Sequence, residues 1–412
     1  MTKQVDTYRA TYDIVTPLFC GGAQPEAPEL RLPSFKGVLR WYWRAVAWHA
    51  LEGSLEAIQR EEAAMFGSPE RGQGKVRMRQ VVDPTLRLRL KGTVLENKPG
   101  RAVGLGARYL AYGVLVAVGS RDKGTEDGEL TRGCLLPPIS LTIELRCRGL
   151  TEPERTRLLL ALRAVGLLGA MGSKSRRGYG SLVLSALIGG GAAPWRAPRT
   201  LEELCACIAE LRRSCAWSSP SGDGEAPYTA LTSRSRHAVI AARESVDPLT
   251  LLDLVGRELV RYRSWGRNGK VLGTVDREGR FRDDHDLPKA VARGERIEHH
   301  PDRVAFGLPH NYGKGTRNEV TPEGFDRRAS PLLIHIHMCG STPVAVLSFL
   351  PARFLPERVQ IRSFGTPVPV VAAPELWAPI EDLLDRFLGK TSLTSRAGSR
   401  KEAFGKAIEV RP

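Results

Sequence analysis

From Tyr8 to Phe19 apolar and polar positions alternate and β-branched residues recur, so the chain opens on a strand, which Pro17 ends by removing a ladder donor. Beyond Gly21-Gly22, the residues Phe35, Val38, Leu39, Tyr42 and Val46 return at helical spacing, with Ser34 at the N-cap position and the helix reaching about Ala50. Lys75 to Leu90 reads as one or two strands rich in basic residues, and Tyr109 to Val118 and Ile139 to Cys147 read as two more. A second helix over Glu152 to Leu168 runs into a glycine-rich basic turn, after which Tyr179 to Ile188 returns as a strand. Strand, helix, strands, helix, strand is the order of the split βαβ, ferredoxin-like arrangement. In it two helices cover one face of an antiparallel sheet and leave the other free.

Gly189-Gly190-Gly191 with Pro194 and Pro198 marks a boundary, which divides the chain into domains over 1–190 and 191–412, the second carrying insertions. The second half opens on a helix from Thr200 to Cys215 with Leu201, Leu204, Ile208 and Leu211 in register. A Ser/Pro/Gly-rich segment, Ser218 to Pro227, separates it from a strand over Tyr228 to Ala242. An amphipathic helix spans Pro248 to Trp265, and Leu332 to Met338 and Val344 to Leu350 form paired strands. Arg277 to Glu323 is polar and predicts loops with a short helix. The fold class is therefore α+β, with antiparallel sheets and two halves that share an element order without a close sequence repeat.

Length and charge sharpen this picture. A chain of 412 residues predicts two or three domains, and 42% hydrophobic with 26% charged residues is ordinary globular usage. The net charge of +16 is not ordinary, and it is carried mostly by arginine scattered through patterned sequence rather than by a lysine-rich tail. An acidic polymer bound in shaped sites is the partner this implies. Seven cysteines without framework spacing, and no apolar leader after Met1, predict a reducing cytoplasm. No apolar run approaches the roughly 18 residues that a bilayer requires, so no membrane partner is expected.

Three basic clusters are candidates for polyanion contact. Lys36, Arg40 and Arg44 recur every four residues and share a helix face, which serves either as a solvated face or as a ridge on phosphates. Trp41, Trp43 and Trp48 on the same helix cannot all point into its core, so at least one is expected to stack on arginine, a base or a protein partner. The turn Gly172-Ser173-Lys174-Ser175-Arg176-Arg177-Gly178-Tyr179-Gly180 concentrates cations among glycines. Its backbone can approach a phosphate, Arg176 and Arg177 can fork onto oxygens, and Tyr179 offers a ring to a base. It is no Walker loop, since it follows a helix and lacks the adjacent Gly-Lys. Arg257, Arg261, Tyr262, Arg263, Trp265, Arg267 and Lys270 could extend an RNA track or serve a helix dipole, and Arg327-Arg328 is a weaker case.

Catalytic and metal signals are thin. His335 and His337 share a strand face but lack a third ligand, so structural histidines are expected. His299-His300 and Asp283-Asp284-His285-Asp286 read as solvated, and Cys205, Cys207 and Cys215 lie in a helix without a partner pair. No catalytic residue, cofactor or metal is assigned.

Thr16-Pro17-Leu18-Phe19 with Gly21-Gly22, Glu29-Leu30-Arg31 leading into Ser34 to Arg44, and Gly172 to Leu182 together resemble the RAMP superfamily of CRISPR proteins. Phe306-Gly307-Leu308-Pro309 and Asp326 to Leu332 extend the resemblance to the family of the first-named RAMP subunit of type III-B Cmr complexes; residues 190–225 and 275–300 match weakly. The resemblance implies two ferredoxin-like, RRM-related domains in a non-catalytic subunit of an antiviral RNA-guided complex. Such a subunit caps the backbone filament at the 3′ part of the guide RNA (crRNA) and touches neighbouring RAMP subunits and the complementary target RNA. Carried over by motif are Arg31, Lys36, Arg40, Arg44, Lys174, Arg176, Arg177 and Tyr179, while Tyr42 stands where the family often has tryptophan. Two rival functions remain: a metal-independent RAMP endoribonuclease that processes guide precursors, with His49 or His310 as base, and a protein-only adaptor whose basic face meets acidic subunits.

Overall fold

A computed structural model describes residues 5–24, 26–82, 86–191, 193–215, 225–264, 270–271, 274–275, 281–311, 319–368, 370, 375–390 and 403–411. In the first half, β1 (Val5–Ile14) leads to α1 (Leu32–Ala50), α2 (Leu55–Phe66) and β2 (Val76–Val82). A short helix α3 (Leu105–Leu110) precedes β3 (Ile139–Arg148), α4 (Glu152–Leu168) and β4 (Leu182–Gly189). The four strands form one antiparallel sheet in the order β2-β3-β1-β4, the ferredoxin-like order read in reverse.

The second half repeats that plan. After α5 (Leu201–Ser214) come β5 (Arg236–Ala242), α6 (Pro248–Arg263), α7 (Arg282–Ala292), β6 (Leu332–Cys339), β7 (Thr342–Phe349), α8 (Ala378–Leu388) and β8 (Phe404–Val410). The sheet order is β6-β7-β5-β8, again antiparallel throughout. The duplication inferred from element order is thus visible strand for strand in the two sheets.

Local chemistry explains most boundaries. Thr151 and Glu154 form a reciprocal capping box at the start of α4. Asp247 caps α6 through Leu249 N and Thr250 N, each at 2.9 Å. At α1 the expected N-cap Ser34 is already helical; Arg31 is the cap residue and Pro33 occupies the first turn, where its missing N–H costs nothing. The strand expected over Tyr109 to Val118 is instead the end of α3 and turns. Packing decides this: Gly106 lies so close to α6 that a Cβ there would meet Asp253 O at 2.1 Å, and Ala107 N donates to Asp253 Oδ1 at 3.0 Å. The 277–323 region contains α7, a 3-10 turn at Asp302–Phe306 and short strands among its described residues.

The two cores do not follow the division at residue 190. One joins the first sheet, α1 and α4 to α5 and to Val239, Leu333, Val344, Val346 and Val410 of the second sheet. The other packs Ala238, Ile240, Ile334, Ile336, Leu347 and Phe349 on α6 and α8, and takes in Ala107, Leu110 and Tyr179 from the first half. The second sheet is therefore covered on both faces. Of these two sheets the first keeps an open face among the described residues, and Arg9, Thr11, Arg79, Thr142 and Glu144 lie on it, with Arg9 and Arg79 both paired to Glu144.

Candidate nucleic-acid interface

The glycine-rich turn between α4 and β4 is held from three sides. Thr16 Oγ1 donates to Gly178 O at 2.7 Å, Gly180 N to Pro17 O at 3.0 Å, and Ser173 N to Phe19 O at 2.7 Å, so the Thr16-Pro17-Leu18-Phe19 segment is its cradle. From the second half, Ile334 N donates to Arg176 O at 3.0 Å. Gly178 sits at φ +84° with Leu252 of α6 where a Cβ would reach 2.5 Å, which explains why only glycine fits. Lys174 adopts φ +64° without being glycine, a conformation that costs about 1 kcal/mol or more and recurs at functional sites.

Around this turn, cations converge from four segments. Lys174 has Arg177, Arg327 and Arg132 as neighbours; burial, and then these three charges, lower its pKa. Arg177 is partly exposed, and its pKa is pushed down to about 10 by desolvation first and by Arg263 next. Arg263, at the end of α6, donates to Tyr109 Oη at 2.9 Å and lies over the Phe306 ring at 4.9 Å. Arg132 donates to Ser173 Oγ at 3.0 Å. Among the described residues, none of Arg132, Lys174, Arg176, Arg177, Arg263 or Arg327 has a carboxylate partner, whereas most other arginines do. Like charges crowded without counterions cost free energy unless an anion is bound.

The remaining expected site residues are placed elsewhere or spent. Arg40 Nε and Arg44 Nη1 both donate to Glu62 Oε1 at 2.6 Å, and Glu62 is buried on α2, so this part of the stripe fastens α1 to α2. Lys36, on the same face, has no ion pair among the described residues and lines a 710 Å³ cleft with Leu32, Phe66 and Arg77; burial lowers its pKa. Arg31 pairs with Glu29 at 3.0 Å and caps Gly21 O. Tyr179 offers no ring to a base: it is fully buried, edged against Phe19, and donates its hydroxyl to Ala107 O at 2.9 Å. Arg261 pairs with Glu258 at 3.6 Å within α6. Arg328 uses Nε, Nη1 and Nη2 on the carbonyls of Phe354, Ala329 and Arg353, so it braces its loop. Arg267 lies outside the described residues, and Lys270 falls in a two-residue strand whose side chains are not described.

The histidines act as struts. His335 Nδ1 donates to Gly169 O at 2.8 Å and its Nε2 meets His337 Nδ1 at 3.2 Å, both rings buried between the halves. His300 donates to Pro301 O at 2.9 Å, while His299 is exposed. Asp284 is buried against Arg303 rather than solvated, and burial raises its pKa to about 7. No group of three or more His, Cys, Asp or Glu able to hold a metal occurs among the described residues, where every cysteine is free.

Trp43 is fully buried, Trp48 meets Tyr228 edge-on at 5.5 Å, and Trp41 carries the Arg176 guanidinium at 5.4 Å over its ring. Three side chains on the segments that reach the basic turn escaped sequence reasoning. Arg132 follows an irregular segment with no periodicity, Tyr112 sits in what reads as a strand yet is 73% exposed, and Phe325 is 49% exposed just before Arg327. Tyr112 precedes Gly113, whose Cβ position is 3.9 Å from Lys174 Nζ.

Comparison with known proteins agrees with this architecture. The RAMP superfamily profile matches residues 11–183. The chain is 38% identical over 78 residues to CRISPR system Cmr subunit Cmr1-2 of Pyrococcus furiosus, covering 18% of this chain and 41% of that protein. It is 30% identical over 158 residues to Cmr subunit Cmr1-1 of the same organism, covering 38% and 41%. These matches span about two-fifths of the relatives' length. The crystal structure of Cmr1 from Pyrococcus furiosus in its apo form shares the fold, with a TM-score of 0.52 and 18% identity over 92% of this chain and 96% of that one.

Proposed function

We propose that this chain is the Cmr1-type RAMP subunit of a type III-B CRISPR effector complex and binds RNA by its backbone, without cleaving it. The carrying observation is the convergence of Arg132, Lys174, Arg177, Arg263 and Arg327 around one glycine-rich turn with no carboxylate partner among the described residues. Such a groove fits phosphates and 2′-hydroxyls and is indifferent to sequence, as a subunit handling guides of differing sequence requires. An RRM-like reading surface is not available to it. The covered second sheet is closed to RNA, and the open face of the first presents charged, hydroxyl and aliphatic side chains instead of stacking rings.

In the complex the groove receives the 3′ part of the guide and the paired target RNA, and the remaining surface meets neighbouring RAMP subunits in the cytoplasm. Residues 1–190 and 191–412 act as two RAMP domains joined by shared cores. Among the described residues no helix is long and apolar enough to cross a membrane. Against the endoribonuclease alternative stands His310: it binds Arg303 O at 2.9 Å, and burial, reinforced by Arg263, pushes its pKa down to about 3, which suits a strut better than a base.

The test is fluorescence anisotropy of the full chain with two RNAs of unrelated sequence. Comparable affinities that weaken with salt and drop in the Lys174→Gly, Arg177→Ala variant are expected. Failure to bind either RNA, or cleavage of repeat RNA in EDTA, overturns the reading.

A further inference from the structure

Beside the basic turn lies a cavity of 290 Å³ lined by Ser34, Gly37, Val38, Trp41, Tyr42, Ala170, Ser175, Arg176 and Leu333. It is set apart from the cationic stripe of α1, because residues 34, 37 and 41 are turned roughly 100° round the helix from 36 and 40. One wall is planar: the Trp41 indole, with the Arg176 guanidinium at 5.4 Å over its ring. One helical turn before it Gly37 leaves the α1 backbone bare, since a Cβ there would meet nothing within 4 Å. Ser34 and Ser175 line the cavity, and among the described residues Ser34 Oγ meets only the weak Cys20 Sγ donor at 3.5 Å. Arg176 spends Nη1 on Ser330 O at 2.6 Å and has no carboxylate partner among the described residues.

We propose that this cavity takes a single unstacked nucleobase of the RNA whose phosphates lie on Lys174 and Arg177. The proposal rests on the RNA-binding reading above and deepens it. Ser175 and Arg176 belong to the same turn as Lys174 and Arg177, so a strand following those cations passes the cavity mouth. A volume just below the roughly 300 Å³ at which small-ligand sites begin admits one flat ring system and no extended ligand. Indole and guanidinium planes stack on any base, and two hydroxyls can meet its edge without fixing its identity. An apolar protein side chain would fill the space but would leave the surrounding positive charge without an anion.

The probe is a short oligouridylate carrying one 2-aminopurine riboside, paired with a version abasic at that position, titrated into the full chain. Quenching of the 2-aminopurine at a defined register, with affinity falling about 5- to 160-fold for the abasic strand, is expected, that being the span of one base stacked on an aromatic side chain. Trp41→Ala and Gly37→Leu should each abolish both effects; the leucine raises helix propensity, its Cβ meets nothing within 4 Å and its side chain occupies the cavity, and Trp41→Phe should restore part of the quenching. Salt-dependent binding with equal affinity for both strands, or quenching indifferent to these variants, overturns the base site and leaves the phosphate groove standing. If neither strand binds at all, the RNA-binding reading falls and the base site with it.

Discussion

Removing Lys174 and Arg177 together, as Lys174→Gly and Arg177→Ala, should change the salt dependence of RNA binding by a calculable amount. Glycine suits the positive φ at 174, and neither side chain donates a hydrogen bond within the described protein, so the fold loses little. Each phosphate neutralised on a single strand contributes about −0.7 to the slope of log K against log salt. If Lys174, Arg177, Arg263 and Arg327 each hold one phosphate, the slope is about −2.8, and affinity falls roughly 50-fold between 50 and 200 mM salt. With two of the four gone the slope is about −1.4 and the loss over that range is about 7-fold. Arg40→Ala is the matched control, because that guanidinium is held by Glu62 in the contact between α1 and α2, and its slope should stay near wild type. Anisotropy titrations at several salt concentrations give all three slopes. A double variant with the wild-type slope, or an Arg40→Ala slope reduced as much as the double variant's, would refute the reasoning.

Glu62→Gln strands two guanidiniums on a buried neutral amide and should lower stability by about 1–3 kcal/mol in urea denaturation, with RNA affinity nearly unchanged. Tyr179→Phe should cost about 1 kcal/mol through the lost bond to Ala107 O and leave RNA binding intact, since the ring is buried. Burial depresses His237, His310 and His335 to about 3, below an unfolded value near 6.5, so their stabilising contribution is present above pH 6.5 and lost on acidification; urea midpoints should fall from pH 7 to pH 5. Asp284 has the opposite sign: raised to about 7 from 3.8, its contribution is full at low pH and lost as pH rises through 7. Asp284→Asn should therefore gain stability relative to wild type between pH 4 and 8.

Periodicity made the framework legible. The helix over Glu152 to Leu168 ends where its pattern ends, and both sheets have the order that alternating strands and amphipathic helices imply. Where backbone contact rather than side-chain pattern decides, the sequence misleads. Tyr109 is β-prone, yet Gly104 and Gly106 let α3 lie against α6, and helix results. The candidate site divides along a similar line. The glycine-rich turn advertises itself by composition, and Arg263 joins it as a basic helix end can, but Arg40 and Arg44 are indistinguishable in spacing from free cations until Glu62 is seen between them. A tyrosine among glycines and arginines invites a stacking role. Only the pocket formed by Phe19 and α3 explains why Tyr179 is structural while Tyr112, in a stretch with no motif, is the exposed ring.

The most direct test of the shared groove is residue-level crosslinking of 4-thiouridine RNA to the full chain, read by mass spectrometry. Crosslinked peptides from residues 109–113, 172–180 and 325–330, depleted together in the Lys174→Gly, Arg177→Ala variant, are the predicted result. Crosslinks confined to the Lys36 cleft or to the open face of the first sheet would contradict the account.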